Sequence, residues 1–503
     1  MTPQTPDLSR RRLLQTASAG AASLLLGPLS GRLPAAAQET PPNIVLILTD
    51  DMRASDLPYM ATAQSLLVEE GATFPNFTVT SPGCGPARAS ILRGQYPHGH
   101  GVLRGKGDTG GVEQMRRGDN ESSTIATWLQ DAGYHTALIG KYLNGYGSTP
   151  ELLAIPPGWD DWFGVSNEGY SRFTINENGE AVRYTSRKEE VHLTDVLADK
   201  AQQVITAAAT AGDPFFLHIS TRAPHGPAEP ASWHVGAFAD TPLPDNPAMN
   251  ETDVSDKPNW VQILPPLTER QMAEEEQYFQ ARLETLLSVD ELIADIVQTL
   301  EEQEILDETY IILTSDNGYS LGEHRVSQEK GSAYEEAVLV PLVIRGPGIA
   351  PGVTLDLLAS QVDLAPTFAT WGGAEIPAFV DGRSLTGVLA GEPVPADWRQ
   401  FGFIEQFVNN PSRTDKQPAF QALRTASMVY VNYGTGEQEL YDLIADPYET
   451  ENRASAADPA LLAAYQERAE AMLICAGATC REIEQQPIPR WPAAGASATP
   501  VVS

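Results

Sequence analysis

The run Asn43-Ile44-Val45-Leu46-Ile47-Leu48-Thr49-Asp50-Asp51 decides the fold. Consecutive apolar residues without polar alternation predict a strand buried on both faces, the pattern of a parallel sheet covered by helices. Tyr310-Ile311-Ile312-Leu313-Thr314-Ser315 repeats it and ends in Asp316-Asn317. Pro214 to Ser220 and Val340 to Ile344 read as further strands of the same sheet. Helical stretches lie between them at Ser123 to Ala132, Asp195 to Ala209 and about Glu274 to Glu302. The last has Leu283, Leu286, Leu287, Ile293, Ile296, Val297 and Leu300 near helical spacing, a stripe that reads as core. Alternating strands and helices imply the α/β class, an α/β/α sandwich around a mostly parallel sheet. In such folds ligands sit beyond the carboxyl ends of the strands, where both acidic pairs fall.

After Asp381-Gly382-Arg383-Ser384-Leu385 the texture changes to short candidate strands at Phe401 to Ile404, Ala419 to Arg424 and Met428 to Tyr433. Glu439 to Leu443 and a helix from Pro459 to Leu473 follow. These predict a smaller C-terminal α+β subdomain. The expected organisation is a leader over 1–37, a main domain over 38–390, the subdomain over 391–485 and a mobile tail over 486–503.

With 503 residues, 42% hydrophobic and 20% charged, the chain can build a large core, which excludes disordered, collagen-like and coiled-coil classes. Its net charge of −33 repels nucleic-acid phosphates, so nucleic acid is not an expected partner. Ser9-Arg10-Arg11-Arg12-Leu13-Leu14-Gln15 opens an apolar run to about Leu29, followed by Ala35-Ala36-Ala37, and reads as a twin-arginine export signal. Gly20, Gly27 and Pro28 interrupt that run, which is shorter than the roughly 20 apolar residues of a stable membrane span. The expectation is delivery by the twin-arginine translocase to the periplasm or the exterior. That route carries folded chains, so a cytoplasmic enzyme can modify the protein first. In an oxidising compartment Cys475 and Cys480 are close enough in sequence to bridge a terminal loop, which leaves Cys84 alone.

Asp50, Asp51, Asp316 and Asn317 would bring hard oxygen ligands to one rim of the sheet, a set suited to Ca²⁺ or Mg²⁺. Taken singly, either pair also reads as capping residues of the next helix. In Ser81-Pro82-Gly83-Cys84-Gly85-Pro86-Ala87-Arg88-Ala89-Ser90-Ile91-Leu92, Pro86 suits a first helical turn. Cys84 then sits at or just before a helix N-terminus, which favours an anion, with Arg88 over the same spot. A thiol so placed is expected to be activated. The plain alternative is a small buried hydrophobe.

Cys84-Gly85-Pro86-Ala87-Arg88 is a C-x-P-x-R motif, followed by Ala89-Ser90-Ile91-Leu92 to Gly94 and by Tyr96-Pro97-His98-Gly99-His100-Gly101-Val102. To these add Gly140-Lys141-Tyr142-Leu143-Asn144-Gly145, Pro156-Pro157-Gly158-Trp159-Asp160, Ala223-Pro224-His225, Ser315-Asp316-Asn317-Gly318-Tyr319, Leu321-Gly322-Glu323-His324 and Lys330. From about Asn43 to about Tyr448 the chain resembles the sulfatase family, with these motifs in the family's order. The resemblance implies that a dedicated maturation system oxidises Cys84 to formylglycine. It implies that Asp50, Asp51, Asp316 and Asn317, together with residue 84, hold a divalent ion, commonly Ca²⁺ with Mg²⁺ as the alternative. Arg88 would steady the modified residue. Lys141, His225 and Lys330 would hold the sulfate and serve the leaving oxygen, with His225 as general acid. One hydroxyl of hydrated formylglycine would attack sulfur, and deprotonation of the other would expel sulfate, a cycle that a thiol cannot complete. Many arylsulfatase-like members carry a His two residues after the lysine, where this chain has Leu143, followed by the substrate-binding candidate Asn144. The Gly-Lys-Tyr-Leu-Asn form resembles the N-acetylglucosamine-6-sulfatase and extracellular heparan-sulfatase branch. It implies a sulfated sugar as substrate rather than a simple aryl ester.

Two other readings stay open. One is a phosphodiesterase or phosphonate monoester hydrolase of the wider alkaline-phosphatase superfamily. The other is a non-catalytic binder of sulfated glycans whose Cys84 stays a thiol. The acidity of the chain predicts removal of accessible or terminal sulfates rather than tracking along a polyanion. His98 and His100 read as packing or loop hydrogen-bonding residues, and His324 as pocket lining or support. Gly105 to Gly111 lacks phosphate-loop spacing and reads as a mobile loop. Glu274-Glu275-Glu276 reads as a solvated acidic face.

Overall fold

The strand Asn43–Asp50 is buried at every residue and lies near the middle of a ten-stranded sheet. In this computed structural model the described residues are 41–489 except 168, 186–190 and 409–416. The expected leader and most of the expected tail lie outside them. Asn43–Asp50 pairs in parallel with Thr309–Ser315 on one side and Phe215–Pro224 on the other. The parallel block continues through His135–Gly140 to Asp161–Asn167. Leu342–Arg345 joins the same sheet antiparallel to Thr309–Ser315. The chain between those two strands contains only the short helix Glu335–Val338 and no helix that recrosses a face of the sheet, so it returns beside the strand it left. Arg172–Glu177 and Glu180–Thr185 form an antiparallel far edge. The sheet is therefore mixed, and parallel where it carries the acidic tips.

Period-two alternation divides the central strand between two cores. Ile44, Leu46 and Leu48 pack with Ile91, Leu129 and Phe368 from helices Cys84–Arg93, Ile125–Asp131 and Leu364–Trp371. Val45 and Ile47 pack with Leu197, Ile205, Leu286 and Ile293 from helices Leu193–Ala211 and Glu269–Glu302. Each fully buried Leu or Ile contributes roughly 1.5–3 kcal/mol, so a strand apolar on both faces demands a helical layer on each. This is the α/β/α sandwich.

The long helix begins at Glu269, earlier than its apolar stripe. Thr268 caps it by accepting from the Gln271 N–H in a capping box. The expected acidic face is broken. Glu275 is buried and accepts a hydrogen bond from Ser327, because the loop after Thr309–Ser315 covers this turn.

Gly402–Gln406, Phe420–Arg424, Met428–Tyr433 and Gln438–Asp442 form a second sheet, antiparallel in sequence order. Phe403, Leu423, Tyr430 and Leu440 pack against Tyr465, Ala469 and Met472 of helix Pro459–Met472. Residues of the opposite parity, such as Ile404, Ala422 and Val431, join the main core. Cys475 and Cys480 form a disulfide beyond that helix. Among the described residues no helix is long and apolar enough to cross a membrane.

Candidate active site

Register places Thr49 beside Ser315, so the two acidic pairs leave the sheet side by side. The Asp51 N–H donates to Asp316 Oδ1 at 3.1 Å, and Asn317 Nδ2 donates to Asp51 Oδ1 at 2.6 Å. Asp51 holds φ at 71°, a left-handed conformation uncommon outside glycine and frequent where a site over-determines the backbone. Three buried groups support these tips, two of them, Gln361 and Arg282, from distant elements. Gln361 Nε2 donates to the Ser315 and Asp316 carbonyls at 3.1 and 2.8 Å. Ser315 Oγ accepts from the Met52 N–H at 2.9 Å, and Arg282 of the long helix donates to the Asp51 carbonyl.

Cys84 is the first residue of its helix, and Gly83 before it is extended. Gly85 lets the loop at Arg104 lie against this turn, since a Cβ there would come within 2.7 Å of the Arg104 carbonyl oxygen. Arg88, one turn on, is 2% exposed. Its Nε donates to Asp316 Oδ2 at 2.7 Å, its Nη1 donates to the Lys141 carbonyl at 3.2 Å, and its Nη2 lies 3.7 Å from Asp50 Oδ2. Lys141 follows Gly140, whose φ of +108° and close approach to Ser220 admit no side chain. Lys141 Nζ donates to Asp50, and Lys330 Nζ donates to Asp51 and lies 2.8 Å from Cys84 Sγ.

His225 Nε2 lies 3.8 Å from Asp51 Oδ2. Its Nδ1 is 2.7 Å from the Gly226 carbonyl, which can only accept, so the proton sits on Nδ1. Asp50, Asp51, Cys84 and His225 offer atoms within 4.8 Å of one another. Asn144 lies beside Gly105, on the loop that abuts Gly85, and its buried Oδ1 has no hydrogen-bond partner among the described residues. The two other histidines of the Cys84 segment are loop hydrogen-bonders: His98 bonds Glu405, and His100 bonds Ser90.

The electrostatics correct one expectation. Burial pushes the Cys84 thiol up to about 12, against the pull of Lys141 and Lys330, so the thiol is not activated. Desolvation outweighs the cations because the sulfur is almost fully enclosed. Burial also opposes charge on Asp50, yet Lys141, His225, Arg88 and Lys330 hold it well below the usual carboxylate range. Asp316 is pushed up by burial and by the Asp50 charge beside it. Burial disfavours charge on Lys330, but Asp51 and its neighbours hold it well above the usual lysine range.

Asp50 Oδ1 and Asn317 Oδ1 are buried and have no hydrogen-bond partner among the described residues. Unpaired buried oxygens require explanation. Here they belong to a set of three carboxylates and one amide, the hard donors that Ca²⁺ and Mg²⁺ take. The residues fit such an ion. Ser220, whose hydroxyl accepts from Arg88 Nη1, Gln361 and Arg282 carried no sequence signal, since each meets the site only through folding and Arg282 sits within a largely apolar helical stripe.

The sulfatase family model matches residues 42–374, and that of the N-sulphoglucosamine sulphohydrolase C-terminal region matches 322–470. The chain is 32% identical to human (Homo sapiens) N-acetylglucosamine-6-sulfatase over 96% of its length and 94% of that protein. A solved structure in complex with its substrate D-glucosamine-2-N,6-O-disulfate superposes with a TM-score of 0.70 at 26% identity, covering 86% of this chain and 97% of that one. A phosphonate monoester hydrolase from Silicibacter pomeroyi superposes at 0.65 with 26% identity, covering 86% and 94%. With a matching family model over most of its length and the strand-tip and Cys84 motifs assembled in one place, the chain belongs to the sulfatase family, is a sulfatase enzyme, and resembles the N-acetylglucosamine-6-sulfatase branch.

Proposed function

We propose that the protein is an exported sulfuric-ester hydrolase that releases sulfate from sulfated sugars, with formylglycine made from Cys84 and a divalent cation, Ca²⁺ or Mg²⁺. The observation that carries this reading is Lys330, whose ammonium bonds the Asp51 carboxylate while lying 2.8 Å from Cys84 Sγ. One cation thus links position 84 to the carboxylates. Formylglycine at 84 supplies, as its hydrate, a nucleophilic oxygen, and an ion held by Asp50, Asp51, Asp316, Asn317 and residue 84 supplies positive charge for the sulfate oxygens.

The other roles fall to the chain's own side chains. Arg88 fixes the first helical turn against Asp316. Lys141 and Lys330 balance negative charge that grows on the sulfate, and Asn144 lines the substrate side. His225, with Nδ1–H held by Gly226, turns Nε2 to the site. Protonated there, it donates to the leaving alkoxide, a contribution of about 10²–10⁴-fold. The relative named for N-acetylglucosamine 6-sulfate and the neighbour bound to a glucosamine disulfate support a sulfated glucosamine as substrate. The charge of −33 favours terminal sulfates over internal ones. Export rests on the arginine-rich leader over 1–37. The proposal includes a formylglycine-generating system and the twin-arginine translocase as partners, with catalytic residues over 38–390 and a subdomain over 391–485.

The test is mass spectrometry of the peptide containing Cys84 from protein matured in its native host, with sulfate release from 6-O-sulfated glucosamine. The expected result is an aldehyde or its hydrate, and no turnover by folded Cys84→Ala. A fully retained thiol would leave only glycan binding. The likeness to a phosphonate monoester hydrolase favours a second reading. Turnover of a phosphate diester faster than that of the matched aryl sulfate would select it.

A further inference from the structure

We propose a second metal site, formed by His324, Glu336 and Glu449, that takes a divalent transition-metal ion such as Zn²⁺ and ties the loop carrying Lys330 to the C-terminal subdomain. It shares no residue with the strand-tip cluster. His324 and Glu336 flank Lys330 in the segment between strands Thr309–Ser315 and Leu342–Arg345, whereas Glu449 follows the last strand of the small sheet, Gln438–Asp442. Folding brings ligand atoms of the three within 4.8 Å of one another.

Three observations point to an ion there. First, His324 Nε2, Glu336 Oε2 and Glu449 Oε1 are all buried without a hydrogen-bond partner among the described residues, and His324 and Glu449 are each 1% exposed. Leaving a single such atom unpaired is costly, and three together call for a shared partner.

Second, the remaining atoms of two of these side chains are already committed. His324 Nδ1 bonds Glu251 Oε2 at 2.7 Å, and Glu449 Oε2 accepts from the Glu335 N–H at 2.9 Å. A carboxylate on Nδ1 fixes the tautomer that leaves a lone pair on Nε2, the arrangement that supports metal-ligating histidines.

Third, the surrounding ion pairs leave two carboxylates over. Arg53 pairs with Glu323 at 3.0 Å as well as with Asp56, Lys257 with Glu251 at 3.6 Å, and Arg424 with Glu335 at 2.7 Å. Among the described residues Glu336 and Glu449 have no such partner, and one dication would neutralise both.

An imidazole with two carboxylates suits Zn²⁺ better than the all-oxygen set at the strand tips does. Small side-chain rotations would bring the three atoms to the roughly 3.3 Å spacing of tetrahedral ligands at about 2.0–2.1 Å from zinc. A cleft of about 390 Å³ lined by Arg53, Asp245, Glu323 and Glu336 opens onto one member of the cluster, Glu336.

The test uses the full-length protein, stripped with a chelator, saturated with Ca²⁺ and titrated with Co²⁺ as a visible probe. One equivalent of Co²⁺ is expected, displaced by Zn²⁺, with affinity lowered roughly 10–100-fold in Glu449→Gln and in Glu336→Gln. Diffraction from wild-type crystals at the zinc edge, which needs no variant, should place an anomalous peak between the three side chains. Equal Co²⁺ uptake by wild type and both variants, no uptake at all, or a zinc peak confined to the strand tips would overturn the proposal in favour of protons shared among the carboxylates.

Discussion

Arg88 Nε donates to Asp316 Oδ2 at 2.7 Å, joining the second turn of the Cys84 helix to a strand tip 228 residues further along the chain. Both partners are buried, and the same guanidinium lies 3.7 Å from Asp50. The helix that presents position 84 is therefore fastened to the acidic rim by one side chain.

Removing that side chain leaves two buried carboxylates short of a partner. Arg88→Ala is expected to lose about 3–5 kcal/mol in urea unfolding of chelator-treated protein. Arg88→Lys should recover part of this, because an ammonium supplies charge without the fork that reaches Asp316 and the Lys141 carbonyl together. An alanine variant within 1 kcal/mol of wild type, roughly the ceiling of an exposed pair, would contradict the role assigned to Arg88.

Lys330 is more accessible than Arg88, with 21% of its side chain exposed, and Asp51 keeps the Asn317 Nδ2 donor without it, so its loss should cost the fold less. Lys330→Met is expected to lower kcat by about 10²–10³ with little change in melting temperature, as for removal of one oxyanion donor. Stopped assays of sulfate release check this. Wild-type turnover in the variant would remove Lys330 from the site chemistry.

Gly140→Ala tests the backbone beneath Lys141. A Cβ at this residue would fall 1.9 Å from the Ser220 carbonyl oxygen, and φ is +108°. The strands His135–Gly140 and Phe215–Pro224 must separate to admit it, which displaces Lys141 from Asp50. The expected outcome is a lowered melting temperature together with lost turnover. Normal values of both would show that this crossing can relax.

His218 supplies a pH dependence. It is 4% exposed on the strand Phe215–Pro224, with both ring nitrogens unpartnered, and burial together with Arg88 lowers it to about 3. The unfolded chain binds a proton here near pH 6.5 that the folded protein refuses until about pH 3. Stability contributed by the neutral ring is thus present above about 6.5 and lost as pH falls through that window, by at most about 1.4 kcal/mol per pH unit. His218→Leu should flatten the acid limb by about one proton in urea titrations between pH 4.5 and 7.5. An unchanged slope would show that His218 takes up its proton in the folded state.

The strands were legible because an apolar run is a local property, and the acidic pairs were legible as their endings. Met428–Tyr433 was read to the residue, and the helix of Cys84 was located from Pro86 alone. Other features had no local mark. Leu342–Arg345 reads as one more buried strand, and only the lack of a recrossing helix before it makes it antiparallel. Glu275 looks like its neighbours Glu274 and Glu276 until Ser327 covers it. The thiol of Cys84 has the neighbours of an activated group and is nonetheless held up by burial, which depends on everything packed around it.

Chain order by itself determined the alternation of buried strands and amphipathic helices, the residues at the strand ends and the helix start at Cys84, since hydrophobic period and proline geometry act between near neighbours. The tertiary structure alone decided which charges meet. Arg88 with Asp316, Lys141 with Asp50 and Lys330 with Asp51 are pairs set by sheet register and by loops closing over it, and a buried charge takes its strength from the desolvation those distant segments impose.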